Sequence, residues 1–343
     1  MTRTVQNADQ RLRDIQRLLH SAPEQALQLS EQLLRESQQI GDMASLVQAT
    51  VFIANTHNQL GVRCDDQQRL LEALMICQHH DLPHLAMDVL ERLGRDYYTG
   101  GLYAESLAAW KQCIEVCRTL RHCGPTHADA LIGLGHVCSA YNAYEQAVEF
   151  HRAALQLLRL NPQLQQQAKA QLSLGWDLYH AGQMGEAINT LQACADFSQA
   201  NGLQHFVSEC LLHLGTIALK SYHLDQAELY LTQALESIEQ TPAHWTECNV
   251  LGQLAEVHFL LGNPRMSLDI IERALRLARQ DGMRHIEARF HAQASGYCAA
   301  LKDHDGVGFY AQQLDQIHLE NSKSWHIPAI DLSDIRQYLP KKA

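Results

Sequence analysis

Leu174-Gly175-Trp176-Asp177-Leu178-Tyr179-His180-Ala181-Gly182-Gln183-Met184-Gly185-Glu186-Ala187 has a counterpart 40 residues to either side. Upstream stands Leu134-Gly135 through Ala147, and downstream Leu214-Gly215 through Ala227. The next step gives Leu254-Ala255 through Ser267, then a degenerate copy around Ala294 to Gly308. Leu93-Gly94 through Ser106 lies 41 residues before the Leu134 copy, and Ile53 to Gln67 is a weak copy further back. Such a period marks a chain built from stacked supersecondary units. Each copy reads as two amphipathic helices. The first carries Leu-Gly, whose small residue lets a neighbouring helix approach closely. The second begins near Ala147, Ala187, Ala227 or Ser267. Seven residues on, a small residue recurs: Cys113, Ala154, Cys194, Ala234 and Ala274. Breakers separate the copies at Gly124-Pro125, Asn161-Pro162, Asn201-Gly202, Thr241-Pro242 and Asp281-Gly282.

These anchors resemble those of the tetratricopeptide repeat, whose usual period is 34. The longer unit is consistent with lengthened helices and linkers. The expected fold is all-α, a right-handed superhelical solenoid of about eight helix pairs with a concave inner wall. The repeat signal is strong over 84–318 and weaker over 8–83, with an N-terminal pair at Arg11 to His20 and Glu24 to Gln39. Residues 1–320 read as the repeat domain, and 321–343 as a linker and a capping or connecting helix. After a break at Trp325-His-Ile-Pro328, the residues Ile330, Leu332, Ile335 and Leu339 space as an amphipathic helix.

Gly133-Leu-Gly-His-Val-Cys138, Ala147-Val-Glu-Phe-His-Arg-Ala153 and Leu268 to Ala278 look like the tetratricopeptide sensory region of bacterial diguanylate cyclases. That resemblance implies a bacterial, cytoplasmic signalling protein. The Gly-Gly-Asp/Glu-Glu-Phe signature of the cyclase is missing, so its activity does not carry over. The chain reads as a truncated sensory module or as a stand-alone relative.

Composition narrows the function. Acidic residues outnumber basic ones 38 to 27, for a formal charge of −11, the wrong balance for coating nucleic acid or an anionic membrane. No apolar run approaches about 18 residues, which argues against a membrane span. Motifs for nucleotide, zinc-protease or serine-hydrolase chemistry are missing. Glu72-Ala73-Leu74 spells a cyclic-di-GMP phosphodiesterase signature, but on an amphipathic helix and without a barrel. The scattered cysteines read as reduced core residues, and Cys113, Cys117, His122 and Cys123 as packing rather than zinc ligands. His79, His80 and His84 read as a solvated turn. No catalytic residue, metal or cofactor is expected. Protonating all 20 histidines moves the formal charge from −11 to +9, which places a solubility minimum near pH 6.

The sharpest candidate site is the inner stripe of first helices. Its positions are Asp88, Glu91, Arg95 and Tyr98, then Asp129, His136 and Ser139, then Lys169, Trp176, Tyr179 and His180. Later copies supply Glu209, Thr216, Lys220, Asn249, Glu256, Phe259 and Arg289. Mixed charge with aromatics suits a peptide: cations hold carboxylates or carbonyls, and rings cover apolar side chains. Arg95 and Lys169 would stand roughly 20 Å apart at roughly 10 Å per helix pair. Alternatively, Trp176 and Tyr179 fill the seam between helices. The chain thus reads as a non-enzymatic regulatory scaffold for a protein or peptide segment. The alternative is a sensory module for a small ligand, serving a cyclase supplied elsewhere.

Overall fold

The computed structural model describes residues 2–62, 66–121, 124–238, 244–320 and 329–340. Among them are sixteen α-helices and no strand. They run α1 (Thr2–Ser21), α2 (Pro23–Ile40), α3 (Met43–Gln59), α4 (Asp66–His79), α5 (Pro83–Thr99), α6 (Tyr103–Thr119), α7 (Pro125–Ala140) and α8 (Tyr144–Leu160). Then follow α9 (Leu164–His180), α10 (Met184–Ala200), α11 (Gln204–Lys220), α12 (Leu224–Ile238), α13 (His244–Leu260), α14 (Pro264–Gln280), α15 (Arg284–Ala300) and α16 (His304–Glu320). Odd-numbered helices are the first members of the pairs, and even-numbered helices the second. Among the described residues no helix is long and apolar enough to cross a membrane.

The 40-residue period resolves into two shorter ones. Most helices from α3 onward have 17 residues, and where the joining turn is described it is commonly three residues long. In most of these turns, though not in 161–163, one residue adopts the left-handed conformation: Gly101, Asn142, Gly182, Tyr222, Gly262 and Lys302 within pairs. Between pairs Asp81, Arg121, Gly202 and Gly282 do the same. The turn after α11 shows why. Tyr222 N donates to Leu219 O at 3.0 Å and His223 N to Ala218 O at 2.9 Å, closing the helix end with paired bonds that need a left-handed residue. The residues beyond the usual 34 therefore lengthen helices, while the turns stay short.

The anchors pack as the spacing requires. Ser106, Ala147, Ala187, Ala227 and Ser267 are fully buried, as are Cys113, Ala154, Cys194, Ala234 and Ala274. A Cβ added at Gly175 would lie 2.6 Å from Leu191 Cγ, and one at Gly215 2.7 Å from Leu231 Cγ. Buried thiols find carbonyls on neighbouring helices: Cys113 Sγ to Met87 O and Cys194 Sγ to Ala168 O, both 3.3 Å. Cys64, His122 and Cys123 lie outside the described residues, as do the Thr241-Pro242 junction and the Trp325 to Pro328 break.

The chain divides into two compact units, residues 1–166 with 327–343, and residues 167–326. In the first, α3, α5 and α7 touch in succession, each with its second helix behind it. In the second, α11, α13 and α15 do the same. The C-terminal segment differs from the expected amphipathic helix. It makes one 3-10 turn, Ile335–Tyr338, and rests on α6. A turn at Asp331, whose side chain accepts from Ser333 N at 2.8 Å, precedes it. Leu339, ahead of Pro340, is already extended (φ −65°, ψ 143°), as a residue before proline prefers. One 3-10 turn is all the helix that forms between those two stops.

Candidate functional site

In the first unit, Asp88, Glu91, Arg95 and Tyr98 recur every three or four residues along α5, so they share one face. Arg95 donates to Glu91 Oε1 through Nη2 at 2.7 Å and Nε at 3.2 Å. That neighbour, with further help from Asp129, lifts the guanidinium further above its ordinary range. Arg95 is thus a paired cation rather than a free hook for a carboxylate. Asp88 accepts from Thr126 Oγ1 at 2.7 Å, and Asp129 from Gln166 Nε2 at 3.5 Å. One turn along, buried Arg92 bridges Asn55 and Asp96. Burial pushes the Asp96 carboxyl up, opposed by Arg92. With Asp88, Glu91, Asp96 and Asp129 against Arg92 and Arg95, the α5–α7 surface carries an acidic excess.

Tyr98 is the hub of an aromatic cluster. Its ring lies 5.4 Å from Tyr103, 5.7 Å from His136 and 6.0 Å from Trp110. His136 in turn lies 5.4 Å from His151. Trp110 and His151 are buried, whereas Tyr98 and His136 are half-buried and reach the surface. Spacing alone did not single out Trp110 and His151. Both occupy the fourth position after the second-helix anchor, where later copies have Leu191, Leu231 and Ile271. Trp110 fits because Gly94 and Gly133 flank it, and His151 because Gly135 does. An unaliphatic residue at an aliphatic repeat position was the available signal.

In the second unit, Trp176 stacks on His213 with centroids 4.2 Å apart and planes 24° off parallel. His180 meets Trp176 edge-on at 4.5 Å, and Tyr179 lies 5.5 Å away. Trp176 and Tyr179 are half-buried, so they line the seam and face solvent at once. Burial, then the neighbouring His180, push His213 down to about 4, so the stacked imidazole is neutral at pH 7. His213 was not among the sequence candidates; it sits one residue before the Leu214 anchor. One turn earlier on α11 is Glu209, half-buried and without a hydrogen bond or ion pair among the described residues. Burial pushes its carboxyl up to about 7.

Stripe residues also contact the neighbouring copy. Arg289 Nη2 donates to Asn249 Oδ1 at 2.7 Å, Tyr297 Oη to Glu256 Oε2 at 3.1 Å, and the Phe259 ring lies tilted 4.9 Å from Tyr297. Lys169 is half-buried and Lys220 exposed, while Thr216 and Ser139 donate back to their own helices. Arg95 and Lys169 fall in different compact units. A cavity of about 350 Å3 opens between Arg279, Arg284, Glu287, His291 and Gln313. Its charges are mutually engaged, with Glu287 taking Arg279 at 2.9 Å and Arg284 at 3.1 Å. Among the described residues no His, Cys, Asp and Glu cluster could hold a metal. His79 and His80 are exposed and touch each other edge-on at 5.0 Å. Ala73, the middle of Glu72-Ala73-Leu74, is buried in the core of its helix.

No family model and no curated protein matches the chain. Solved structures do. RapI in its apo form is 12% identical over 97% of this chain and 95% of its own, with a TM-score of 0.66. NprR in complex with its cognate peptide NprX is 14% identical over 96% of each chain, with a TM-score of 0.61. A signal-transduction ATPase with a tetratricopeptide repeat sensor from Pyrococcus horikoshii is 12% identical over 94% of this chain and 49% of its own, with a TM-score of 0.67. At these identities the likeness establishes the fold, a tetratricopeptide-like helical repeat. The resemblance to diguanylate cyclase sensory regions gains nothing from these matches.

Proposed function

We propose that this chain is a non-enzymatic regulatory scaffold that binds an extended peptide or protein segment on its first-helix face. In the first unit Asp88, Glu91, Arg95, Asp129, Tyr98 and His136 would contact the ligand. The second unit offers its own contact surface, Lys169, Trp176 and Tyr179, joined by Glu209 and His213. The observation that carries the reading is Glu209, a half-buried carboxylate with no hydrogen-bond or ion-pair partner among the described residues, one helical turn from the Trp176–His213 stack. An unpaired buried charge costs stability and is retained most readily where a ligand supplies the partner. The acidic surface of α5 and α7 favours a basic or amide-rich segment over an acidic one. NprR, which shares the fold, was captured with its cognate peptide.

The test is to select extended peptides on the wild-type chain from a display library and then measure their affinity for variants. Trp176→Ala and Glu209→Gln should each weaken binding by tenfold or more while helix content is kept. Unchanged affinity in both variants would remove the first-helix face of the second unit from the account.

A further inference from the structure

The C-terminal residues fold back onto the first unit through contacts made along residues 334–339. Lys111 Nζ on α6 donates to Asp334 Oδ1 at 2.7 Å, across 223 positions of sequence. One Nη2 of Arg118, two turns further along α6, donates to the backbone carbonyls of Gln337 at 2.6 Å and Leu339 at 3.0 Å. Both cations reach the Tyr338 ring, Lys111 Nζ at 5.2 Å and the Arg118 guanidinium carbon at 5.7 Å from its centroid. On α8, Glu149 takes Arg336 Nε at 2.7 Å. Ile335 is 1% exposed, while Leu332, Tyr338 and Leu339 are half-buried.

This is the chemistry of a bound peptide rather than of a chain end resting on a surface. An aliphatic anchor is buried, an aromatic ring is met by two cations, and backbone carbonyls are taken by an arginine. The charges complement on both sides: the α6 cations meet an acidic residue and carbonyls, and the α8 carboxylate meets an arginine. The ion pairs are half-exposed, so salt screens them, and the attachment weakens with ionic strength.

We propose that the exposed face of α6 and α8 is a segment-binding site and that residues 329–340 are its resident, displaceable ligand. Tethering gives the segment a local concentration in the millimolar range, enough to hold the site against weak competitors. The site lies on second helices and does not depend on the first-helix reading above. A partner engaging it must first remove the tail, which makes the tail a built-in competitor.

The test uses the full chain and a fluorescein-labelled synthetic peptide of residues 329–340. Ile335→Asp removes the anchor and vacates the site without touching α6 or α8. The labelled peptide should bind this variant at least tenfold more tightly than wild type, and adding Arg118→Ala should abolish the gain. In wild type, the amides of Ile335, Gln337 and Leu339, each bonded within the turn, should exchange at least tenfold more slowly than in Ile335→Asp, with α6 unchanged. Equal peptide binding by wild type and Ile335→Asp, or equally fast exchange in both, would overturn the proposal. Protection lost on dilution of a dimeric wild type would overturn it too, because the tail would then sit on a second copy.

Discussion

Glu209 and His213 share one turn of α11, yet burial moves their protonation in opposite directions. Glu209, pushed up to about 7, holds a proton in the folded chain that the unfolded chain has lost above its ordinary value of 4.5. The folded state binds more protons across that window, so this group makes stability fall as pH rises from about 4.5 to about 7, with the full penalty above. Glu209→Gln should therefore add roughly 1–3 kcal/mol at pH 8 and almost nothing near pH 4.5, read by urea unfolding at both values. Equal gains at both would mean the carboxyl is not desolvated. Glu209 was legible in the sequence because the repeat places it on the stripe. Its lack of a partner was not, since pairing depends on side chains from other helices. Arg95 shows the converse: spacing put it on the stripe, but Glu91 four residues earlier already claims its charge.

Helix length and helix contact were legible to different degrees. The Leu-Gly and Ala anchors fixed the pairing of α5 to α16, because a small residue at a crossing has one purpose: to admit a neighbour. Gly175→Ala should therefore cost about 1–3 kcal/mol, since the added methyl meets Leu191 in a filled core. Gly296→Ala, in an exposed helix interior with nothing within 4 Å, should gain about 0.5–1 kcal/mol. Thermal or chemical unfolding of the two variants checks the pair, and a harmless Gly175→Ala would contradict the close approach. The expected C-terminal helix failed because apolar spacing carries no information about length between stops. Asp331 and Pro340 bound that segment, and only a single 3-10 turn forms between them. Its docking on α6, more than 200 residues away, left no trace in local pattern.

At the scale of the whole chain, the repeat made the fold class readable from sequence, whereas the division into two compact units was not foreseen. Composition sets a further expectation. Charge neutrality falls near pH 6 if every histidine titrates normally, but His180, His205, His213 and His291 are all held below their ordinary value by burial. Fewer positive charges appear at pH 6, so the solubility minimum should lie slightly below that pH. A profile flat from pH 5 to 8 would contradict it. The central claim, that ligand segments lie on the first helices, is tested most directly by photocrosslinking. A photoreactive phenylalanine analogue is placed at Tyr98 or Tyr179 on first helices, and at Tyr230 or Phe309 on second helices. Peptides selected on the wild-type chain should crosslink at 98 or at 179 and not at 230 or 309. Crosslinks confined to 230 or 309 would contradict the account.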